Sequence, residues 1–209
     1  MVSPGLDHLI VGIDDLDRGI AEIERRIGVR AVPGGVHPGR GTRNAILSLG
    51  QDRYLEIMAP DPAQPRLTWY RKLPALREPH LVGWAAHTSD IERLAALARS
   101  GGLAIDGPTS GSRARPDGRT LRWKAFSLKE DRGGLLPFFI EWHPESVHPS
   151  ADAPGGCTLG RLLLRSPGRE DLARECAALG IEVAVETAPE PCLLAVIEGP
   201  AGRTELTGP

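Results

Sequence analysis

Lysine and cysteine are scarce in this 209-residue chain, and neither sign of charge dominates it. Lysine occurs only at positions 72, 124 and 129, so nearly all the cationic charge is arginine, while Gly, Ala and Pro are abundant. That bias fits a bacterium with a GC-rich genome and says nothing about chemistry. The three cysteines, Cys157, Cys176 and Cys192, are odd in number, lack CxxC spacing and all lie in the last third. Neither a disulfide framework nor a zinc motif is indicated. A formal charge of −2 and a pI near 6.3 leave no broad basic footprint for nucleic acid or an acidic membrane, which points to small molecules as partners. No apolar run approaches membrane-spanning length, and the first five residues lack the basic start and apolar core of a signal peptide. The expectation is a soluble cytoplasmic protein with no nucleic-acid or membrane partner. Its 41% hydrophobic content supports one large or two small packed domains.

What the chain does have is internal repetition. A strand-like run, a helix start, an amphipathic stretch and a glycine recur three times, with helix-ending glycines at Gly28, Gly102 and Gly180. In the first copy, Asp14 or Asp15 supplies an N-cap and Leu16, Ile20, Ile23 and Ile27 form one apolar stripe. In the second, Ser89 is the expected cap and Ile91, Leu94, Leu97 and Ala98 the stripe; in the third, Pro167 opens a helix with Leu172, Cys176 and Leu179 inward. Short β-rich runs with hairpin turn signals follow each helix, so each unit reads βαβββ. The units are expected at 1–75, 76–148 and 155–209, with Pro/Gly-rich joints at 59–65 and 144–156. Two segments, 33–43 and 106–118, read as long loops able to carry recognition residues.

Each unit also ends on a run holding one carboxylate: Glu56, Glu141 and Glu205. A Glu inside an apolar strand needs a cation, a metal or a dense hydrogen-bond network if it is buried, and nothing special if it faces water. His8 sits on the first strand of the first unit. The Gly-rich segment from Gly34 to Asn44 lets backbone approach a ligand, with His37, Arg40 and Asn44 as candidate binding residues; an ordinary Gly/Pro turn is the alternative. Trp84 and Trp123, with Trp142 and Phe139, line either a ligand pocket or the core. His143 shares the neighbourhood of Glu141 as a candidate acid/base.

A duplicated βαβββ unit with His early on its first strand and Glu on its last resembles the vicinal oxygen chelate superfamily. The segments around Leu6–Val11, Gly34–Asn44 and Tyr54–Ile57 look like its glyoxalase-like domain family. The resemblance implies an α+β fold in which two modules curl a mixed sheet into a cup, here with a third, degenerate module at the C-terminus. It also implies a divalent metal (Zn, Mn, Ni or Fe) held by His8, Glu56 and Glu141, with Glu141 and His143 as catalytic groups and no nucleotide cofactor. Metal-dependent lyase, isomerase or dioxygenase chemistry on a small oxygenated molecule is one implied activity, and metal-free sequestration, as in bleomycin-resistance proteins, is the other. One ligand position is missing, because Gly83 stands where the second unit would carry the counterpart of His8. The third unit is expected to support the fold or a homodimer interface, with Glu205 at the surface.

Overall fold

The computed structural model describes residues 4–208. Strand β1 (Gly5–Gly12), helix α1 (Leu16–Ile27) and strands β2 (Val32–His37), β3 (Thr42–Gly50) and β4 (Arg53–Pro60) make the first unit. The second comprises β5 (His80–His87), α2 (Ile91–Ser100), β6 (Ile105–Ala114), β7 (Thr120–Leu128) and β8 (Phe138–Trp142). The third comprises β9 (Thr158–Ser166), α3 (Arg169–Ala178), β10 (Ala184–Thr187), β11 (Cys192–Gly199) and β12 (Gly202–Gly208).

The helices follow their apolar spacing, and side chains set their ends. Asp15 caps α1 by accepting from the Arg18 N–H at 2.8 Å, and Gly28 ends it in the left-handed conformation at φ 81°. Leu16, Ile20, Ile23 and Ile27 are all buried. In α2 the cap is Asp90 rather than Ser89, and Ala95 replaces Leu97 in the buried stripe. Leu97 is exposed because a 3.6-residue turn carries it off the face shared by Ile91, Leu94 and Ala98.

The first two units share one eight-stranded sheet in the order β2-β3-β4-β1-β5-β8-β7-β6. In each unit the first strand runs parallel to the fourth, and the units join where β1 and β5 pair antiparallel. The sheet curls until its edge strands β2 and β6 touch. Those edges are the two segments that read as loops. Their Pro, Gly and Ser content hides the alternation of an ordinary strand, and edge strands tolerate that content because one side of the backbone needs no ladder partner.

The third unit has the same element order but a different pairing. Its sheet runs β10-β9-β11-β12, so its first strand pairs parallel with the second and antiparallel with the third. It therefore cannot form a third half of the cup. Instead Leu164, Leu193, Ala195, Ile197 and Leu206 join one continuous core with α1 and the outer face of the large sheet. Helix α1 lies between the two sheets, and the Ala201 N–H donates to the Ile27 carbonyl at 3.2 Å. Glu205 is exposed. No helix among the described residues is long and apolar enough to cross a membrane.

Candidate functional site

The inner face of the curl carries a buried polar cluster on strands that are otherwise apolar. Strand β4 is buried from Tyr54 to Ala59, so Glu56 has no wet face to point to. Its carboxylate stands 3.5 Å from His8 Nε2 through Oε2 and 3.6 Å from His37 Nε2 through Oε1. Asn44, on the neighbouring strand β3, donates its amide N–H to Glu56 Oε1. His8, His37, Asn44 and Glu56 are each at most 8% exposed.

Each member is held from behind. The β1–β5 register slips between Leu6 and His8, making Asp7 a bulge residue, which turns its side chain toward His8. Asp7 Oδ1 accepts from His8 Nδ1 at 2.6 Å, and Oδ2 accepts from Trp142 Nε1 at 2.8 Å and faces His148 Nε2 at 3.3 Å. His37 Nδ1 meets Thr42 Oγ1 at 2.9 Å. Arg113, on edge strand β6, reaches across the seam to donate Nη1–H to Asn44 Oδ1 at 2.7 Å. Gly34 and Gly35 make that reach possible: a Cβ on Gly34 would stand 2.6 Å from Asn44 Oδ1 and 2.8 Å from Arg113 Nη1. Tyr54 stacks on the His8 ring at 4.4 Å, and Phe138 meets it edge-on at 5.5 Å.

The charge states follow from these contacts. Burial alone would raise the Glu56 carboxyl, but His37, His8, the Arg113 guanidinium and the Asn44 amide together outweigh it and hold Glu56 below its ordinary value. Asp7 behaves likewise: burial opposes ionisation, and its bonds to His148 and His8 win, leaving it well below the usual carboxylate range. Burial pushes His37 down, with Glu56 opposing only in part, and burial pushes the Tyr54 phenol well up.

His37 therefore carries a testable signature. A histidine that stays neutral when folded but titrates near 6.5 when unfolded contributes stability that is complete above that pH and is lost as pH falls toward its folded value. Urea unfolding is expected to show stability falling as pH drops below about 6.5, at no more than about 1.4 kcal/mol per pH unit from this group and until its lowered folded value is reached. His37→Gln should remove that component, and an unchanged slope in the variant would refute the assignment.

The segment 61–79 straps the mouth of the cup. Asp61 and Thr68 N–H groups donate to the carbonyls of Gly41 and Arg40, and Gln64 accepts from the Gly39 N–H at 2.9 Å. Leu73 and Tyr70 pack inward against Ile10 and Met58, while Trp69 lies against His37 and beneath the Arg40 guanidinium at 4.6 Å.

The structure thus brings together His8, Glu56, His37 and Asn44, with Arg40 at the rim. Glu141 does not join them. Its carboxylate accepts from the Ile91 N–H at 2.9 Å at the start of α2, on the helix-bearing face of the sheet. The helix caps Asp15 and Asp90 lie 75 residues apart (90 − 15), which makes Ala85 the counterpart of Ile10. Ile10 pairs with Glu56 and Ala85 with Phe138, so Phe138 occupies the place of Glu56 in the second unit and Gly83 that of His8. One half of the cup is polar and the other apolar. Trp84 is core, its Nε1–H donated to the Leu135 carbonyl at 2.9 Å. Trp123 and exposed His143 line a separate groove of about 430 Å³ along β7 and β8, together with Glu141 and Trp142.

Arg113 and His148 carried no sequence signal as site residues, and Asp7 carried only a weak one. Asp7 depends on a bulge, Arg113 on a seam between strands 69 residues apart from Asn44 in sequence, and His148 on a loop folding back. The adjacency of Asp7 to His8 was the one available hint.

A resident metal ion needs its donors arranged around one point. Here Glu56 lies between two imidazoles that face different oxygens, Glu141 is on the opposite face, and the second unit offers Gly83 and Phe138. Among the described residues no three His, Cys, Asp or Glu side chains have the spacing to hold a metal. The expected set of His8, Glu56 and Glu141 does not fit a metal in this arrangement.

Comparisons with known proteins agree with the architecture. A family model described as a glyoxalase-like domain matches residues 6–180. No curated protein matches the chain. A hypothetical protein from Staphylococcus aureus shares the fold at a TM-score of 0.68 and 17% identity, over 91% of this chain and 88% of its own. A methylmalonyl-CoA epimerase from Mycobacterium tuberculosis is 26% identical with a TM-score of 0.51, over 68% of this chain and 89% of its own. A methylmalonyl-CoA epimerase in complex with methylmalonyl-CoA and NH4+ shares the fold at 19% identity and a TM-score of 0.50, over 69% of this chain and 98% of its own.

Proposed function

Since this chain belongs to the glyoxalase-like domain family, we propose that its cup takes up a small oxygenated molecule and moves a proton at the carbon beside that molecule's carbonyl, as an isomerase or lyase does. The observation that carries this reading is the buried, ionised Glu56 between two imidazoles. An ionised carboxylate withdrawn from water is a costly thing to keep for packing alone, and it is well placed to accept a proton from carbon. Asp7 holds His8 by Nδ1–H, so Nε2 is the nitrogen turned to the cup, available to exchange a proton with the ligand's oxygen. Neutral His37, anchored by Thr42, is a second partner for developing negative charge on that oxygen. Phe138 and Gly83, covered by Tyr70 and Leu73 of the strap, make the other half apolar, and the remainder of the ligand would enter where the strap now packs. The epimerase similarity at 26% identity favours the same class, because inverting a centre beside a carbonyl requires removing and returning a proton.

The strap over the cup favours a second reading, sequestration without reaction, since a closed apolar cover retains a ligand as well as it excludes water. One experiment separates the two. Wild-type protein is incubated in D2O with methylmalonyl-CoA and, separately, with oxaloacetate, and the α-proton signals are followed by NMR. Loss of an α-proton above the buffer rate is the expected result. Binding seen by line broadening without exchange selects sequestration, and neither binding nor exchange overturns both readings for these ligands.

A further inference from the structure

Arg113 is 5% exposed, yet its hydrogen-bond partner is a neutral amide, and no carboxylate among the described residues pairs with it directly. A guanidinium carries five N–H donors, and among the described residues only Nη1 has a protein acceptor. A purely structural arginine at this depth would be expected against Glu56 itself. Instead Asn44 stands between them, its oxygen on Arg113 and its N–H on Glu56, so the cation and the anion are held one amide apart and neither consumes the other's remaining bonds. The seam is built around this reach. Arg113 arrives from edge strand β6 through a gap where Gly34 and Gly35 have no side chains; a Cβ on Gly35 would stand 3.3 Å from Nη1 and 2.8 Å from the Ala114 carbonyl.

We infer that Arg113 is the receptor for an oxyanion, a carboxylate or a phosphate, on the ligand of the cup. This rests on reading the cup as the ligand site and adds the substrate class: a small carbonyl compound that also carries a negative group. The planar guanidinium suits either oxyanion through paired N–H···O bonds. The anion at Arg113 and the reacting carbon near Glu56 would then be separated by about the length of the Asn44 side chain, which places Asn44 as a spacer that aligns the two ends of the ligand.

The test uses sodium malonate and inorganic phosphate as probes, with uncharged malonamide as control, titrated by calorimetry at constant ionic strength. Wild type is expected to bind at least one anion and not malonamide; which anion binds tells carboxylate from phosphate. Arg113→Gln should weaken that binding by about tenfold or more. Gly34→Ala is the second variant: it leaves Arg113 present but places a methyl group 2.6 Å from Asn44 Oδ1 and 2.8 Å from Arg113 Nη1, which must shift the pair, and it should weaken binding too while the thermal midpoint confirms folding. If neither anion binds wild type, or if Arg113→Gln binds as wild type does, the inference is wrong. Proton exchange is not read in this experiment, so failure of the proposed reaction would leave an Arg113-dependent anion affinity standing, and loss of the affinity would leave the exchange result untouched.

Discussion

Asp7→Ala is expected to destabilise the protein by about 3–5 kcal/mol, the cost of removing one partner from a buried charged pair. Asp7 is 1% exposed and accepts from His8 and Trp142 while facing His148. Its loss would leave the His8 and Trp142 N–H groups buried without an acceptor, and would also break a tie between β1, β8 and the 143–152 segment. Urea unfolding of the variant against wild type measures the effect, with Glu205→Ala as an exposed-carboxylate control expected to stay within about 0.5 kcal/mol. A loss below 1 kcal/mol for Asp7→Ala would mean that the network contributes little to holding the two units together. The same carboxylate gives a pH dependence of definite sign. Because its folded value is depressed, its stabilisation is present above the unfolded value near 3.9 and is lost as pH falls through the folded value, so this part of acid unfolding should disappear in the variant.

Glu56→Gln should have a different profile: a smaller loss of stability than Asp7→Ala and a large loss of the proposed proton exchange. The amide keeps an oxygen for the Asn44 N–H, but His37, His8 and the Arg113 guanidinium hold Glu56 ionised in the fold, so removing its charge should lower the unfolding free energy at neutral pH, by less than Asp7→Ala because the amide stays hydrogen-bonded. Exchange at the ligand α-carbon should fall by about two to four orders of magnitude, the usual contribution of a positioned base. Equal exchange rates in the two proteins would remove Glu56 from the reaction. A stability loss of several kcal/mol would show instead that Glu56 is retained as a structural counter-ion for Arg113 and the histidines.

The two variants together distinguish a group kept to hold the cup from one kept to act within it. Asp7 touches three elements and no open space, whereas Glu56 is surrounded by groups that each have a second partner of their own. Stability and activity are therefore expected to separate between Asp7 on one side and Glu56 on the other.

Much of this protein is legible in its sequence because the relevant signals are local. Helix positions follow from the spacing of Leu16, Ile20, Ile23 and Ile27 and from the glycines that end each helix, and the ladder of β3 and β4 follows from their apolar runs. That His8 and Glu56 stand together was an implication of the family resemblance, and the two side chains lie 3.5 Å apart. Register is another matter. Sequence alternation cannot say that Phe138 and not Glu141 takes the position equivalent to Glu56, because a strand of five residues with apolar neighbours on both faces reads the same in either orientation.

What the sequence by itself determined is the α+β composition and the repeated unit, since periodicity and caps act over a few residues; the grouping of His8 with Glu56 came only as an implication of the family resemblance. Only the tertiary structure decided that 33–43 and 106–118 include edge strands meeting at a seam, that Arg113 crosses it to Asn44, and that Asp7 is turned by a bulge toward His8, Trp142 and His148. It also decided that the third unit pairs its strands in another order and covers α1. Each of these depends on contacts between residues far apart in the chain, whose energies are set by how the sheets curl and pack and leave no local pattern in the sequence.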